Sequence, residues 1–384
     1  MGDAAAGPLE GIRVLDLSRI LAGPLATMVL GDLGADVVKL ERPGSGDDTR
    51  HWGPPFVGAD AAYFLSVNRN KRSIAVDLRT PEGVDVVRRL AARSDVLIEN
   101  FRPGLMASFG LALEDLRGAN PGLVTCSLTA FGEDAGDGDA RPGYDIMMQA
   151  LAGLMSVTGD REGEPTKVGV ALLDVVSGLY AAIGVQAALV ERQRTRRGRH
   201  VSVSLFDASV AALVNQAANH LLGGVVPGPM GSEHPNIVPY QVFQAADRPF
   251  VLAAGNDKLF RATCEVLGLP ELADDVRFAT NDARVANRET LIPRLREAFE
   301  ARPASRWLAS LGAAGVPCAP IRHLDEVFAS PEGAAIVQTV EDAVRGPLRL
   351  VADPIRLDGV TAPVRRPPPR LDEHAEEILR ELEP

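Results

Sequence analysis

Cysteine is scarce in this chain, with three residues in 384. Cys126, Cys264 and Cys318 lie far apart and are odd in number, which argues against both a disulfide framework and a zinc site. The six histidines lack the spacing of metal ligands, so we expect no bound metal. Because no secretory signal peptide is visible either, the sequence predicts a cytoplasmic protein.

Basic residues are fewer than acidic ones, and long apolar runs are rare. Lys and Arg total 40 against 51 Asp and Glu, a net charge of −11, which argues against a nucleic-acid partner. The one long apolar run, residues 168–190, has the length of a membrane span but carries Asp174 near one end. We interpret it as a buried helix and expect no membrane partner.

Glycine-rich phosphate loops are missing. The first predicted strand, residues 12–17, is followed by SRILAGP rather than by G-x-G-x-x-G, so the dinucleotide-binding fingerprint is absent. The sequence also contains neither G-x-x-x-x-G-K-[ST] nor G-x-S-x-G, the signatures of phosphate-loop nucleotide triphosphatases and of α/β-hydrolases.

The order of predicted elements indicates an α/β protein with two lobes. Hydrophobic residues make up 46% and charged residues 24%, as in a folded globular chain. In the first third, short β-rich runs alternate with helical segments, the pattern of a Rossmann-like parallel sheet covered by helices. We predict a large domain formed by residues 1–222 and 325–384, with a smaller α/β domain inserted at 223–324. The insertion opens with a glycine- and proline-rich segment, 223–239, which is either a linker or a mobile lid.

Polar and aromatic residues follow several predicted strands, where a parallel sheet binds its ligands. Arg42, Arg79 and Arg102 each come shortly after a strand, and Asn100 and Phe101 directly precede Arg102. Guanidinium groups bind phosphate and aromatic rings stack on bases, so this set suits a ligand with phosphates and a heteroaromatic base. Solvated surface charge is the alternative interpretation.

Asp174 is the isolated carboxylate of the apolar run. Such a group is costly to bury unless it is hydrogen-bonded or used. It either caps a helix that begins at Val175, which needs no function, or acts as a nucleophile held ionised at the helix start.

The sequence resembles the class III coenzyme A transferase family, which includes the formyl-CoA and carnitine CoA-transferases. Matching segments run in order from about residue 9 to beyond 330. They are GIRVLDLSRILAGP, GADVVKLERPGSGDDTR, YFLSVNRNKRSIAVDL, LIENFRPG, the stretch 172–178 and RTRRGRHVSVSLFDA. The resemblance implies a CoA-transferase with no cofactor beyond CoA as co-substrate, and an interlocked homodimer.

The resemblance also implies the site residues. Asp174 is expected to be the nucleophile that forms an aspartyl-CoA thioester and passes CoA from an acyl-CoA donor to a carboxylic acid. The residues expected to contact CoA are Leu21, Ala22, Arg42, Val76, Asp77, Leu78, Arg79, Asn100, Phe101, Arg102, Arg141 and Tyr144. One departure concerns the phosphate grip, because Ser108 stands where many relatives carry a basic residue. The tail after Pro347 is also shorter than in some relatives.

Two other functions remain open at this level. Racemases that act on α-methylacyl-CoA share the fold, but they have Gly-His-Asp where this chain has Gly143-Tyr144-Asp145. Tyrosine is a poor substitute for histidine in proton exchange, since it ionises only near pH ~10. A CoA-binding protein without turnover is the third possibility. Arg19, Arg50 and His51 are candidates for holding a second carboxylate, which would indicate a dicarboxylic substrate.

Overall fold

The computed structural model describes residues 7–133 and 143–383. The chain forms two compact units. The larger comprises the chain up to Leu154, Val168–Gly224 and the chain from Gly333 onward, and the smaller comprises Met155–Lys167 and Val225–Glu332. The smaller unit thus includes a segment that the sequence placed in the large domain. Gly231 N–H binds the carbonyl of Gly159, and Arg161 pairs with Glu233 at 2.7 Å, which ties this segment to the smaller unit.

A six-stranded parallel sheet forms the centre of the larger unit. Its strands and a short hairpin are β1 (Arg13–Asp16), β2 (Asp36–Glu41), β3 (Phe56–Val57), β4 (Asp60–Ala61), β5 (Lys71–Ala75), β6 (Val96–Glu99), β7 (Val124–Thr129) and β8 (His200–Ser204). The sheet order is β5-β2-β1-β6-β7-β8, and every neighbouring pair is parallel. This is the strand order of doubly wound dinucleotide-binding domains. The predicted α/β class with a Rossmann-like parallel sheet is confirmed.

Helices cover both faces of this sheet. They are α1 (Ala22–Asp32), α2 (Ala62–Ser66), α3 (Pro81–Ala92), α4 (Leu105–Ser108), α5 (Leu113–Ala119), α6 (Asp145–Leu151), α7 (Leu172–Thr195), α8 (Leu205–Ala211) and α9 (Val214–Leu221), with a 3-10 helix at Asp48–His51. Successive residues of β1 point to opposite faces: Val14 joins one apolar cluster with α1 and α7, and Leu15 joins another with α3. Both faces are therefore buried, as a parallel sheet requires.

Helix α7 is the long apolar segment seen in the sequence. Within the described residues it is the one helix long and apolar enough to cross a membrane by length and composition, and half of its apolar window is buried inside the protein. It starts at Leu172, three residues before the predicted start at Val175. The helical region after β8 is divided into α8 and α9, and Val214, at the start of α9, has a positive φ of 41°.

The smaller unit has its own sheet and core. It contains β9 (Tyr240–Gln244), β10 (Pro249–Ala253), α10 (Asp257–Leu267), α11 (Pro270–Asp274), α12 (Asn281–Ala286), α13 (Arg288–Glu300), α14 (Ala304–Ala313), β11 (Cys318–Pro320) and α15 (Leu324–Ala329). The three strands are antiparallel in the order β11-β10-β9. Phe299 lies at the centre of the core, with ring centroids 4.9 Å from Phe243, 5.1 Å from Phe250 and 5.4 Å from Trp307.

The second half of the glycine- and proline-rich segment is anchored in the smaller unit. Glu233 forms ion pairs with Arg161, Arg288 and Arg296 at 2.7, 3.0 and 3.3 Å. The hydroxyl of Ser232 accepts the N–H of Val242 at 3.0 Å. Any lid or linker is therefore restricted to the residues before 231.

The C-terminal part covers the edge of the large sheet. It contains α16 (Pro331–Ala335), the hairpin β12 (Val337–Asp342) and β13 (Gly346–Val351), the short pair β14 (Arg356–Leu357) and β15 (Val360–Thr361), and α17 (Ala375–Glu381). The N–H groups of Asn70 and Ala75, around the edge strand β5, donate to Arg366 and Asp372 in the tail. A covered edge cannot pair with another chain, so this short tail protects the sheet.

Candidate active site

Two neighbouring cavities lie at the carboxyl ends of the parallel strands. The chain runs from β1 to one side of the sheet and from β6 to the other, and a crevice forms where the order reverses. One cavity, here called the aspartate cavity, has a volume of about 250 Å³ and contains Asp174. The other, the arginine cavity, has a volume of about 410 Å³ and extends past the ends of β2 and β5. Arg19 and Phe101 line both cavities.

Asp174 lies in the first turn of α7 and is 8% exposed. Ala171, at the N-cap, supplies no side-chain hydrogen bond. The Oδ1 atom of Asp145 fills that role by accepting the N–H groups of Leu173 at 2.8 Å and of Asp174 at 3.3 Å. The interpretation of Asp174 as a mere helix cap is therefore wrong, because another carboxylate caps the helix and Asp174 lines the cavity.

The electrostatic surroundings of Asp174 favour its protonated form. Burial raises the pKa of Asp174 to about 7, and repulsion from the Asp145 carboxylate adds to the rise. The half-buried phenol of Tyr63 is near the same charges, and burial, Asp174 and Asp145 raise its pKa as well. Strongly shifted carboxylates in clefts are typical of functional sites.

Glycine at position 178 allows α7 to approach α1 closely. A Cβ atom built there would lie 2.5 Å from the carbonyl oxygen of Ala22, which is closer than van der Waals contact allows. Because Gly178 is one turn after Asp174, the contact sets the distance between the Asp174 carboxylate and the start of α1. Gly23, near the start of α1, lies equally close to Ser18 in the loop after β1. This contact fixes the connection that leads from β1 to α1.

Four charged side chains are buried beneath the crevice. Lys71 Nζ lies 3.0 Å from Asp16 Oδ2, and Lys39 Nζ lies 3.0 Å from Asp47 Oδ2. Lys39 also donates to the carbonyl of Ser18 at 2.9 Å. Burial alone would raise the pKa of Asp16, but Lys71, Lys39 and hydroxyl hydrogen bonds outweigh it and lower that pKa to about 2. These pairs are fully satisfied, so they fix the backbone that carries the site.

Most residues predicted to contact CoA line the two cavities. Those in the aspartate cavity are Leu21, Ala22, Asn100, Phe101, Arg102 and Tyr144. Those in the arginine cavity are Arg42, Val76, Asp77, Leu78, Arg79 and again Phe101. Arg141 lies outside the described residues. These positions are compatible with the predicted CoA contacts, which stay predictions.

Several predicted ligand-binding groups already have partners in the protein. The Asn100 amide accepts the N–H of Arg19 at 2.8 Å and donates to its carbonyl at 2.7 Å, so it is committed to the loop after β1. Arg42 pairs with Asp48, and Arg79 pairs with Asp77 at 2.8 Å. A phosphate in the arginine cavity would have to compete with these two exposed carboxylates.

Arg50 and His51 are not placed as the sequence suggested. Arg50 is 3% exposed and lies 2.7 Å from the carboxylates of both Glu41 and Asp60, so it stabilises the fold rather than holding a substrate. Nε2 of His51 lies 3.0 Å from the carbonyl oxygen of Ser45, and neither Arg50 nor His51 lines either cavity. The prediction for Arg50 is therefore wrong, whereas Arg19 does line both cavities.

Sequence reasoning missed residues whose role depends on three-dimensional contacts. Asp145 was seen only as the neighbour of Tyr144, although the spacing Asp145-x-x-x-Gln149 places both on one face of α6. Gln149 donates to Asp145 at 2.6 Å and accepts the N–H of Val168 at 2.8 Å, which secures the segment before α7. Asp47 was not singled out from the sequence because it lies in a loop with other polar residues. In the described part of the chain, no group of three or more His, Cys, Asp or Glu residues is placed to hold a metal ion.

Comparisons with known proteins identify the family of this chain. The sequence profile described as CoA-transferase family III matches residues 9–375. A succinyl-CoA:glutarate CoA-transferase of Homo sapiens is 44% identical over 98% of this chain and 86% of its own length. An acetyl-CoA:oxalate CoA-transferase of Acetobacter aceti is 40% identical over 98% of this chain and 96% of its own length. The crystal structure of a CAIB/BAIF family protein from Brucella suis, 45% identical, superposes with a TM-score of 0.86 and covers 98% of this chain and 100% of that one. The family resemblance is thereby confirmed, and the chain belongs to CoA-transferase family III.

Proposed function

We propose that this family III CoA-transferase moves CoA from an acyl-CoA donor to a dicarboxylic acid, with Asp174 as the nucleophile. The observation that carries the proposal is a buried carboxylate, without a hydrogen-bonding partner among the described residues, in the cavity where a doubly wound sheet binds its ligand. The relatives named above act on glutarate and oxalate, which are both dicarboxylic acids.

The reaction proceeds in four acyl-transfer steps. The Asp174 carboxylate attacks the donor thioester carbonyl, the C–S bond breaks, and CoA thiolate leaves a mixed anhydride on the enzyme. The thiolate then attacks the Asp174 carbonyl, which releases the donor acid and forms the aspartyl-CoA thioester. The acceptor carboxylate attacks that thioester, the C–S bond breaks again, and CoA thiolate leaves a second anhydride between the acceptor and Asp174. The thiolate finally attacks the acceptor carbonyl, so that acceptor-CoA forms and the Asp174 carboxylate is regenerated.

The raised pKa of Asp174 suits this role. A carboxylate with a pKa of about 7 is more basic, and therefore more nucleophilic, than an ordinary aspartate, yet it is largely ionised slightly above neutral pH. Leu21 and Ala22 bring the start of α1 to the same cavity. Its first N–H groups have no partner within the helix, so they stabilise the oxyanions of the tetrahedral intermediates.

Two guanidinium groups support a dicarboxylic acceptor. Arg19 and Arg102 line the aspartate cavity together with Asp174. An acceptor with two carboxylates uses one for attack and keeps the other negative throughout, and arginine binds a carboxylate bidentately. A monocarboxylic acid of the same length lacks this second anchor.

The alternatives find less support in the site. Racemisation needs an acid and a base on opposite faces of the α-carbon, and histidine usually supplies one of them. No histidine lines either cavity in the described part of the chain, and Tyr144 is 56% exposed. A CoA-binding protein without turnover would not need a buried carboxylate whose pKa is raised to about 7, as that of Asp174 is.

We further propose a cytoplasmic homodimer that uses neither nucleic acid nor a membrane. The support for a dimer is a set of exposed apolar side chains on the larger unit. In α7, Ile183 and Val190 are 62% and 70% exposed, and Leu221 and Leu222 near the end of α9 are 78% and 88% exposed. Exposed apolar patches of this kind mark protein interfaces. Light scattering coupled to size-exclusion chromatography tests this point, with twice the chain mass of 40.7 kDa expected.

A substrate panel tests the proposed activity. The purified protein is incubated with succinyl-CoA and a series of mono- and dicarboxylic acids of equal length, in buffer containing a metal chelator. Transfer to dicarboxylic acids is expected to exceed transfer to the matched monocarboxylic acids by roughly tenfold or more, the value of one charge-assisted contact. Equal rates for both series would contradict the dicarboxylic assignment, and absence of any transfer would contradict the activity itself.

A further inference from the structure

The turn between β1 and α1 contains a residue in an unfavourable backbone conformation. Ile20 has a φ of +72°, in the left-handed region that glycine adopts readily and that a β-branched residue rarely adopts. Ile20 lines the aspartate cavity and is followed by Leu21 and Ala22, which line it as well. Such a conformation persists only where the surrounding structure holds it in place.

Asn100 supplies the first set of restraints. It follows β6, the neighbour of β1, and its amide makes two hydrogen bonds to one backbone residue. The Arg19 N–H donates to Oδ1 at 2.8 Å, and Nδ2 donates to the Arg19 carbonyl at 2.7 Å. Because the carbonyl of Arg19 belongs to the peptide that enters Ile20, these bonds fix the turn just before its strained residue.

Asp47 supplies the second set. The Ile20 N–H is shared between its two carboxylate oxygens at 3.4 and 3.3 Å. Asp47 is itself held by Lys39, at 3.0 Å, and by Glu41, which accepts its N–H at 2.9 Å. Both sets of bonds therefore fix the peptide that joins Arg19 to Ile20, and they anchor it to groups that are buried or bonded to the framework of the sheet.

We propose that Asn100 is a positioning residue: its amide, assisted by Asp47, keeps Ile20 left-handed and so holds Leu21 and Ala22 in the arrangement that binds CoA. The inference rests on the proposed function, because it assumes that CoA occupies these cavities. In this proposal the Asn100 amide does not contact the ligand directly. In this role the amide acts through the turn, and loss of the amide releases the turn to an ordinary conformation with φ below zero.

The test combines Asn100→Ala with two substitutions at the strained position. Ile20→Gly and Ile20→Ala both remove the isoleucine side chain, but only glycine adopts a positive φ without strain. CoA binding is measured by calorimetry for the wild type, for each single variant and for both double variants, and circular dichroism checks that each is folded. If Asn100→Ala does not fold, Asn100→Asp replaces it, since aspartate keeps the acceptor for the Arg19 N–H and loses the donor.

The proposal makes a specific prediction for the double variants. Asn100→Ala is expected to weaken CoA binding by roughly tenfold, the loss expected when two hydrogen bonds that hold the binding conformation are removed. In that background, the variant with glycine at position 20 should bind CoA more tightly than the variant with alanine. Equal affinities of the two double variants would show that the backbone conformation at position 20 does not carry the effect and would overturn the proposal, as would unchanged binding by Asn100→Ala. Absence of CoA binding by the wild type would instead contradict the proposed function.

Discussion

The Oδ1 atom of Asp145 lies 3.3 Å from the backbone nitrogen of Asp174 and accepts its N–H. The same atom accepts the N–H of Leu173, so one carboxylate caps α7 and places its charge beside the other. Asp174 is thus fixed in position by the helix and made basic, first by burial and then by the charge of its neighbour.

The first prediction concerns the pH dependence of transfer. The Asp174 carboxylate attacks only when ionised, so kcat/KM should rise with pH through about 7 and then level off. Asp145→Asn keeps an oxygen that can cap the helix but removes the charge, so the pKa of Asp174 should fall and the rise should move to lower pH. Tyr63 also faces Asp174, but its pKa is raised and it stays protonated across this range. An unchanged midpoint in Asp145→Asn would contradict the proposed coupling.

The second prediction concerns stability at position 174. The folded pKa of about 7 lies above the ordinary value of 3.8, so the fold disfavours the charged carboxylate. This unfavourable contribution is absent below the unfolded pKa and lowers stability as pH rises from about 4 to 7. Asp174→Asn carries no charge, so it should resist urea as well as the wild type at low pH and better at pH ~8. The gain is expected to be a few kcal/mol at most, since a tenfold change in an ionisation constant corresponds to about 1.4 kcal/mol. Lower stability of this variant at pH ~8 would contradict the direction in which the fold moves the pKa.

The third prediction uses a matched pair of glycines. Gly178→Ala places a methyl group 2.5 Å from the Ala22 carbonyl oxygen, so α7 must move away from α1. A stability loss of about 1–3 kcal/mol and slower transfer are expected, because the nucleophile shifts with the helix. Gly118, in the exposed part of α5, has open space around it, and Gly118→Ala should leave transfer unchanged and stability equal or slightly higher. Similar effects of both variants would contradict the close-packing role of Gly178.

The fourth prediction separates two arginines that look alike in sequence. Arg50→Met removes the guanidinium that pairs with the buried carboxylate of Glu41 and one of the two that pair with Asp60, the other being Arg345, and a stability loss of about 3–5 kcal/mol is expected. Arg42→Met removes an exposed pair with Asp48 and should change stability by less than about 1 kcal/mol. Arg42→Met should instead weaken CoA binding, measured by calorimetry. The reverse pattern would show that the structural and ligand-binding roles have been exchanged.

The sequence predicted features that depend on local pattern. Short β-rich runs that alternate with helical segments indicated the parallel sheet. Asp174 stood out because an acid in an apolar run is costly. These signals are readable because each depends on residues within a few positions of one another.

Features that depend on distant contacts were not predictable from pattern. Arg50 and Arg42 both follow β2, but only the fold brings Asp60 and Glu41 onto Arg50. The start of α7 was misplaced because its cap, Asp145, comes from another helix 29 residues before Asp174. The positive φ of Ile20 could not be predicted from the sequence, because β-branched residues rarely adopt this conformation.

Trapping of the covalent intermediate tests the role of Asp174 most directly. The protein is incubated with succinyl-CoA and then treated with hydroxylamine, and its peptides are examined by mass spectrometry. An aspartyl thioester should react to give a hydroxamate on the peptide that contains Asp174, and Asp174→Asn should show neither this hydroxamate nor CoA transfer. A hydroxamate found only on another residue, or near-normal transfer by Asp174→Asn, would contradict the assignment of Asp174 as the nucleophile.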